Sequence, residues 1–141
     1  WQGGFVDNTA HWKGNGNALA DIKGEVYFKN QKTFPFQLNV AGDSTISPRF
    51  KGYQIGKQGL PAFKYKLADI EFNEKILPLQ DSKGLVIQYQ INNVNQPIFY
   101  SLPIGEDFSV NYSKGIREGK FLKLSAEEAR EFTITITALK Q

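Results

Sequence analysis

The residue types that most often carry catalysis or bind metals are scarce in this sequence. The chain has one histidine, His11, and contains neither cysteine nor methionine. A single histidine cannot form a multi-histidine zinc or copper site or a paired haem ligation, and without cysteine there is no thiol nucleophile. No GxSxG segment is present to supply an activated serine. We therefore expect no haem, no transition metal and no other cofactor in this chain.

Carboxylates are the remaining route to chemistry, because glycoside hydrolysis uses two of them on either side of the scissile bond. They form three groups: Asp69 with Glu71 and Glu74, Glu106 with Asp107, and Glu127 with Glu128. Nothing in their spacing places two groups across a cleft, and carboxylates on strands and turns are usually solvated. We predict no catalytic residue, and therefore no enzyme. A small carbohydrate-active enzyme with a carboxylate pair stays open as the alternative.

Oxygen ligands for calcium are the next possibility, since Asp7, Asn15, Asn17 and Asp21 lie close together in the sequence. Their spacing does not match the calcium-binding loop of an EF-hand, which needs ligands at several fixed positions and a final glutamate. Asn and Asp are also common in turns, where they tolerate left-handed backbone. We interpret these residues as turn residues and predict no metal site.

Lysines alternate with aromatic residues in the middle of the chain, as they do in RNA-binding sheets. Examples are Lys51 with Tyr53, and Lys64 and Lys66 on either side of Tyr65. The run nevertheless lacks the second aromatic of an RNA-binding strand motif, and the formal net charge is only +3. A half-buried strand whose lysines protect an edge has the same pattern. We predict no nucleic-acid partner.

The elements that must position any site are strands. Apolar and polar residues alternate with period two in residues 49–55, 63–67, 70–76 and 84–91. Only Ala68 and Asp69 separate the second run from the third, which predicts an antiparallel hairpin. Further strands are predicted at residues 25–29, 33–40, 98–102, 108–112, 120–124 and 131–139. The one helical signal is SAEEAR, where Ser125 and Glu128 form a potential capping box.

Together these signals predict one domain over residues 1–141. The expected fold is all-β: an antiparallel two-sheet β-sandwich, jelly-roll-like, with about ten strands and at most one short helical turn. The residues expected in its core are Phe63, Tyr65, Leu67, Ile70, Phe72, Leu85, Ile87, Tyr89, Phe132, Ile134 and Ile136. No apolar run is long enough to span a membrane, so we expect no membrane insertion.

The predicted binding site lies in the Gly- and Asn-rich opening of the chain, which holds both tryptophans. An aromatic ring beside amide side chains offers a stacking face together with hydrogen-bond donors and acceptors, which suits sugars and protein anchors. The alternative is that Trp12 closes one end of the sandwich. The predicted ligand-binding residues are His11, Trp12, Lys13, Asn15, Asn17 and Tyr53.

One segment resembles a known pattern. Residues 50–67 fit F-x-G-Y-x-[IL]-x-x-x-G-x-P-x-F-x-Y-x-[IL], through Phe50, Gly52, Tyr53, Ile55, Gly59, Pro61, Phe63, Tyr65 and Leu67. This resembles a segment of large exported bacterial proteins that combine c-type cytochrome or haem-binding modules with PQQ-dependent sugar-dehydrogenase-like propellers. The opening GGFVDNTAHWKGNGN is similar to a Gly-Phe-Val-Asp and His-Trp-x-Gly motif of the same families.

The resemblance implies a periplasmic or secreted accessory module, joined in its parent protein to redox or sugar-oxidising domains. The chain has no CxxCH motif, so any electron transfer would belong to those domains. The absence of methionine even at position 1 adds the expectation of a fragment of a larger exported protein. The resulting prediction is a non-catalytic binding or docking module whose partners are the parent's other domains and a glycan. A carbohydrate-binding module and a purely structural domain of an assembly are the remaining alternatives.

Overall fold

The structure is a computed structural model that describes residues 26–30, 33–39 and 46–139. These residues form ten β-strands and one short helix: β1 (Phe36–Gln37), β2 (Arg49–Ile55), β3 (Pro61–Leu67), β4 (Ile70–Pro78), β5 (Gly84–Asn92), β6 (Ile98–Ser101), β7 (Phe108–Tyr112), β8 (Ile116–Glu118), β9 (Phe121–Leu124), α1 (Ala126–Ala129) and β10 (Glu131–Ala138).

The strands form two antiparallel sheets. The smaller has the order β1-β6-β9-β8 and the larger has the order β2-β3-β4-β5-β10-β7. Strands β2 to β5 form a meander. Of the later connections, only the one between β8 and β9 stays within a sheet, and the others cross between the sheets. The predicted all-β, two-sheet antiparallel sandwich is confirmed.

The core lies between the two sheets, because each sheet turns one apolar face inward. In β10 the alternation is complete: Phe132, Ile134 and Ile136 are buried, and the threonines between them face away. On the smaller sheet, Ile98 and Leu122 are fully buried in the same cluster. Of the predicted core residues, those found buried are Leu67, Ile70, Phe72, Ile87, Tyr89, Phe132, Ile134 and Ile136.

Three residues predicted to be buried are only half-buried: Phe63, Tyr65 and Leu85. Their faces were predicted correctly, since all three point to the inner side of the larger sheet. Among the described residues, however, six strands face four, so the larger sheet extends beyond the strands of the smaller sheet. We call the part of the larger sheet formed by β3 and the edge strand β2 the overhang. Phe63 and Tyr65 lie on β3, and Leu85 lies near the start of β5.

The strand predicted at residues 25–29 is wrong over the part that the structure describes, since residues 26–30 form no strand. Tyr27 and Phe28 both pack against the core. Successive side chains of a strand point to opposite faces, so two neighbours anchored on one core are incompatible with an extended strand. In the strand predicted at residues 33–40, only Phe36–Gln37 is paired, and Val40 lies outside the described residues.

The two local predictions are confirmed. Ser125 caps α1: its hydroxyl accepts from the Glu128 N–H at 3.2 Å, and the Glu128 carboxylate accepts from the Ser125 N–H at 2.9 Å. The hairpin of β3 and β4 pairs Leu67 with Ile70 across a two-residue turn. In that turn, Ala68 has a φ of +51°.

Replacing Ala68 by glycine should stabilise the domain. A left-handed residue with a Cβ costs about 1–2 kcal/mol, and this turn favours glycine at its first central position. After the greater flexibility of glycine in the unfolded chain is subtracted, we expect a gain of about 0.5–1 kcal/mol in the free energy of unfolding. Urea denaturation measures it. Ala62→Gly, inside β3, is the control and should destabilise; equal effects of both changes would contradict the turn assignment.

Replacing Phe132 by alanine should cost about 3–5 kcal/mol of unfolding free energy, since its side chain is only 2% exposed. Tyr53→Ala is the matched surface control, because Tyr53 is 64% exposed. It should change stability by no more than about 0.5–1 kcal/mol. Similar losses at the two positions, measured by urea denaturation, would mean that the faces of the larger sheet are assigned the wrong way round.

Candidate functional site

A β-bulge in edge strand β2 determines which side chains reach the inner face of the overhang. Phe50 lies opposite Tyr65, and Tyr53 lies opposite Phe63, with Lys51 as the inserted residue between them. The insertion shifts the alternation by one residue. Both aromatic residues of β2 therefore lie on the inner face, although strict alternation would separate them.

The same arrangement separates the lysines from the aromatic residues. Lys64 and Lys66 alternate with Phe63 and Tyr65 along β3 and point to the outer face of the sheet. Arg49 lies directly across from Lys66 on that outer face. The cations and the rings of this region therefore occupy opposite faces of the sheet, unlike an RNA-binding sheet, where both contact the same strand of nucleic acid.

A cavity of about 220 Å³ opens on the inner face of the overhang. Its floor comes from strands β3, β4 and β5. Its rim comes from Asn30, residues 33–35, Pro48 and Phe50. The described residues that line it are Asn30, Thr33, Phe34, Pro35, Pro48, Phe50, Tyr65, Glu74, Ile76 and Tyr89.

Three aromatic rings form the walls of this pocket. The centroid of the Tyr65 ring lies 5.6 Å from that of Phe34, with an angle of 47° between the ring planes. It lies 5.5 Å from the centroid of Phe50, with an angle of 54° between the planes. Rings tilted in this way form a concave surface instead of a flat stack. Phe34 is anchored by an edge contact with buried Phe72, at 5.2 Å and 88°. All three walls are therefore fixed to the core or to a paired strand.

Glu74 is the one carboxylate among the described residues that line the pocket. It lies on β4 between Phe72 and Ile76, on the inner face, and its Oε2 accepts a 2.8 Å hydrogen bond from the Tyr89 hydroxyl. Burial raises the pKa of the Glu74 carboxyl, and the hydrogen bond from Tyr89 opposes this more weakly. Because Glu74 is partly buried, the expectation that its group is solvated is wrong at this position, although Asp69 and Glu71 are exposed.

The hydrogen bond from Tyr89 connects the pocket to the opposite sheet. Tyr89 is buried and is also hydrogen-bonded to Tyr100 of β6, with ring centroids 5.6 Å apart. Burial raises the pKa of both phenols well above the ordinary value, and burial followed by the charge of Glu74 raises the pKa of Tyr65 to about 12. All three phenols are therefore neutral at neutral pH.

Five of the predicted ligand-binding residues, His11, Trp12, Lys13, Asn15 and Asn17, lie outside the described residues. The sixth, Tyr53, lies on the inner face of β2 with its ring 6.5 Å from that of Phe63. The Tyr53–Phe63 pair is the next inward-facing pair along β2 and β3 after Phe50–Tyr65, and Tyr53 does not line the pocket. The sequence did contain a signal for Glu74, because it falls in phase with the apolar residues Phe72 and Ile76.

The described residues include neither a metal-ligand cluster nor a membrane-spanning helix. They contain no group of three or more His, Cys, Asp or Glu side chains placed to hold a metal ion. No helix in this part of the chain has the length and apolar character needed to cross a membrane.

Comparison of the chain with family models, with curated proteins and with solved structures found no match.

The pKa of Glu74 predicts how stability depends on pH. A carboxyl whose pKa is raised by folding binds its proton more tightly in the folded protein, so stability falls as the pH rises above the ordinary value of 4.5. Glu74→Gln removes this loss, and its amide oxygen can still accept from Tyr89. The stability of the variant relative to the wild type should therefore increase as the pH is raised from about 4 to about 7.

Urea midpoints at both pH values measure this effect. Glu71→Gln is the matched control, since Glu71 lies on the same strand but is exposed on the outer face. A gain for Glu74→Gln that is the same at both pH values, or that appears equally in the control, would contradict a raised pKa at Glu74.

Proposed function

We propose that this domain is a non-catalytic binding module and that the aromatic pocket around Glu74 is its binding site. The observation that carries the proposal is the composition of the pocket. Three tilted aromatic rings enclose a cavity of about 220 Å³, and a hydrogen-bonded carboxylate lies on its floor. Binding pockets combine apolar walls with a few well-placed polar groups in this way.

The chemistry of the lining supports binding over catalysis. Glycoside hydrolysis needs a second carboxylate, or another nucleophile, facing the first. Glu74 is the one carboxylate among the described lining residues. Tyr89 donates its hydroxyl to Glu74, which could act as its base, but no further carboxylate among the described lining residues is then left to serve as the general acid. The raised pKa of Tyr65 keeps that phenol protonated at neutral pH.

The cavity is small for a whole ligand, because pockets for drug-sized molecules usually measure about 300–1,000 Å³. It suits one group of a larger partner, such as a single sugar ring of a glycan or one side chain of a neighbouring domain. A pyranose could place its apolar face on Tyr65 or Phe50 and donate a hydroxyl to Glu74.

The resemblance in residues 50–67 fits this assignment, because that segment builds one side of the pocket. It contributes Phe50 and Tyr65 to the walls, and its Gly52, with a φ of +113°, lies in the bulge that turns Phe50 and Tyr53 to one face. We include in the proposal the setting that the resemblance implies. In that setting the module docks redox or sugar-oxidising domains of a periplasmic or secreted parent protein.

Replacing Phe50 by alanine tests the site. Phe50 is 59% exposed, so the change should remove a pocket wall without unfolding the domain. Ile55→Ala is the matched control: Ile55 lies on the same strand and face, is 55% exposed, and does not line the pocket. A panel of monosaccharides and small amines would be titrated into the isotope-labelled chain and followed by amide chemical shifts.

We expect at least one compound to shift the amides of the pocket strands. Phe50→Ala should weaken its binding by about tenfold, the equivalent of one lost aromatic contact, while Ile55→Ala leaves it unchanged. If no compound in the panel shifts these amides, or if both variants weaken binding equally, the pocket is not a binding site.

A further inference from the structure

We infer, on the basis of the proposed function, that the ligand group recognised by this pocket is cationic: an ammonium group held between the aromatic walls and the Glu74 carboxylate. This deepens the proposed function by naming the chemical class of the ligand. Three features of the described residues favour an ammonium group over a neutral ring.

The first feature is an incompletely compensated negative charge. Burial raises the pKa of Glu74 by more than the hydrogen bond from Tyr89 and the positive charge of the amino terminus lower it. A carboxylate removed from water is costly unless hydrogen bonds and a countercharge replace its hydration. Tyr89 donates one hydrogen bond to Glu74. Among the described residues, however, no lysine or arginine forms an ion pair with it, and its neighbour Lys75 points to the opposite face. A bound cation would complete the compensation of this charge.

The second feature is the set of rings. The face of an aromatic ring attracts a cation within about 6 Å of its centroid, and the attraction grows when the cation is desolvated. Phe34, Phe50 and Tyr65 form tilted walls, so an ammonium group can contact more than one ring at once. Two of these rings are phenylalanines, which offer a cation their faces but offer a neutral sugar no hydrogen bond.

The third feature is the size of the site. A volume of about 220 Å³ accommodates a quaternary ammonium group, the end of a lysine side chain, or one amino sugar. These share one chemistry, a compact cation with apolar groups around it. A neutral sugar would fill the same space but would add no countercharge for the carboxylate.

The inference makes binding depend on pH, because only the ionised carboxylate attracts the cation. Among the described residues, the groups facing Glu74 are Tyr65 of β3 and Tyr89 of β5, with Tyr100 of β6 behind Tyr89. The positive charge of the amino terminus also acts on Glu74 and lowers its pKa, and this charge is retained as the pH falls. All three phenols remain neutral as the pH falls from neutrality. Glu74 is therefore the described group whose titration removes the attraction.

The experiment compares choline with 3,3-dimethyl-1-butanol, which has the same shape without the charge. Both would be titrated into the isotope-labelled full chain near pH 7 and followed by amide chemical shifts. We expect choline to bind at least about tenfold more tightly, and Glu74→Gln to abolish that difference while Glu71→Gln leaves it unchanged. In the wild type, lowering the pH towards about 4 should weaken the binding of choline and leave that of the alcohol unchanged.

Glucosamine and glucose form a second matched pair that separates the sources of the cation. Stronger binding of glucosamine than of choline supports an amino sugar, and the reverse supports an alkylammonium group. Equal binding of choline and its neutral isostere, or no effect of Glu74→Gln, would overturn the inference. Binding of glucose without either amine would overturn it and leave the proposed function intact, whereas no binding by any compound would remove both.

Discussion

Phe36 packs at the centre of the aromatic cluster that joins the two sheets. Its ring lies 4.7 Å from Phe72, 4.9 Å from Tyr89 and 5.2 Å from Tyr100, so that one side chain contacts two strands of the larger sheet and its neighbour in the smaller one. Each such aromatic pair contributes about 0.5–1.5 kcal/mol beyond the area that it buries. This contact also fixes the chain on either side of a strand only two residues long.

The pocket depends on that anchor and on the unequal width of the sheets. With Phe36 held in the core, Phe34 is positioned against Tyr65 and Phe72 at the rim of the covered region. Beyond that rim the larger sheet continues for further strands, and its inner face keeps the apolar character of a core. The bulge in β2 adds Phe50 to the same surface. Within the part of the chain that the structure describes, the site is therefore a continuation of the core that no strand of the smaller sheet covers, and it is closed on one side by the segment that Phe36 anchors.

Local signals predicted much of the fold, and long-range geometry explains the rest. The alternation of β10, the Ala68–Asp69 hairpin and the Ser125 capping box depend on near neighbours and are all found. The half-burial of Tyr65 depends on how far the opposite sheet extends, which no local pattern encodes. The bulge depends on the backbone of Gly52 and on the pairing of β2 with β3. The predicted site around Trp12 lies outside the described residues, while the pocket draws its lining from five separate parts of the chain.

Glu74 interrupts the row of inward-facing residues on the central strand β4. The other inward-facing residues of this strand, among them Ile70, Phe72 and Ile76, are all apolar. An apolar residue there would avoid the desolvation of a carboxylate and would extend the core towards the pocket. Folding alone therefore gives no reason for an acid at this position, and the hydrogen bond from Tyr89 only partly offsets its burial. A local feature that opposes stability in the middle of an otherwise consistent strand is typical of a functional site. The position of this one carboxylate, more than the shape of the cavity, is what distinguishes the pocket from a gap at the edge of a sandwich.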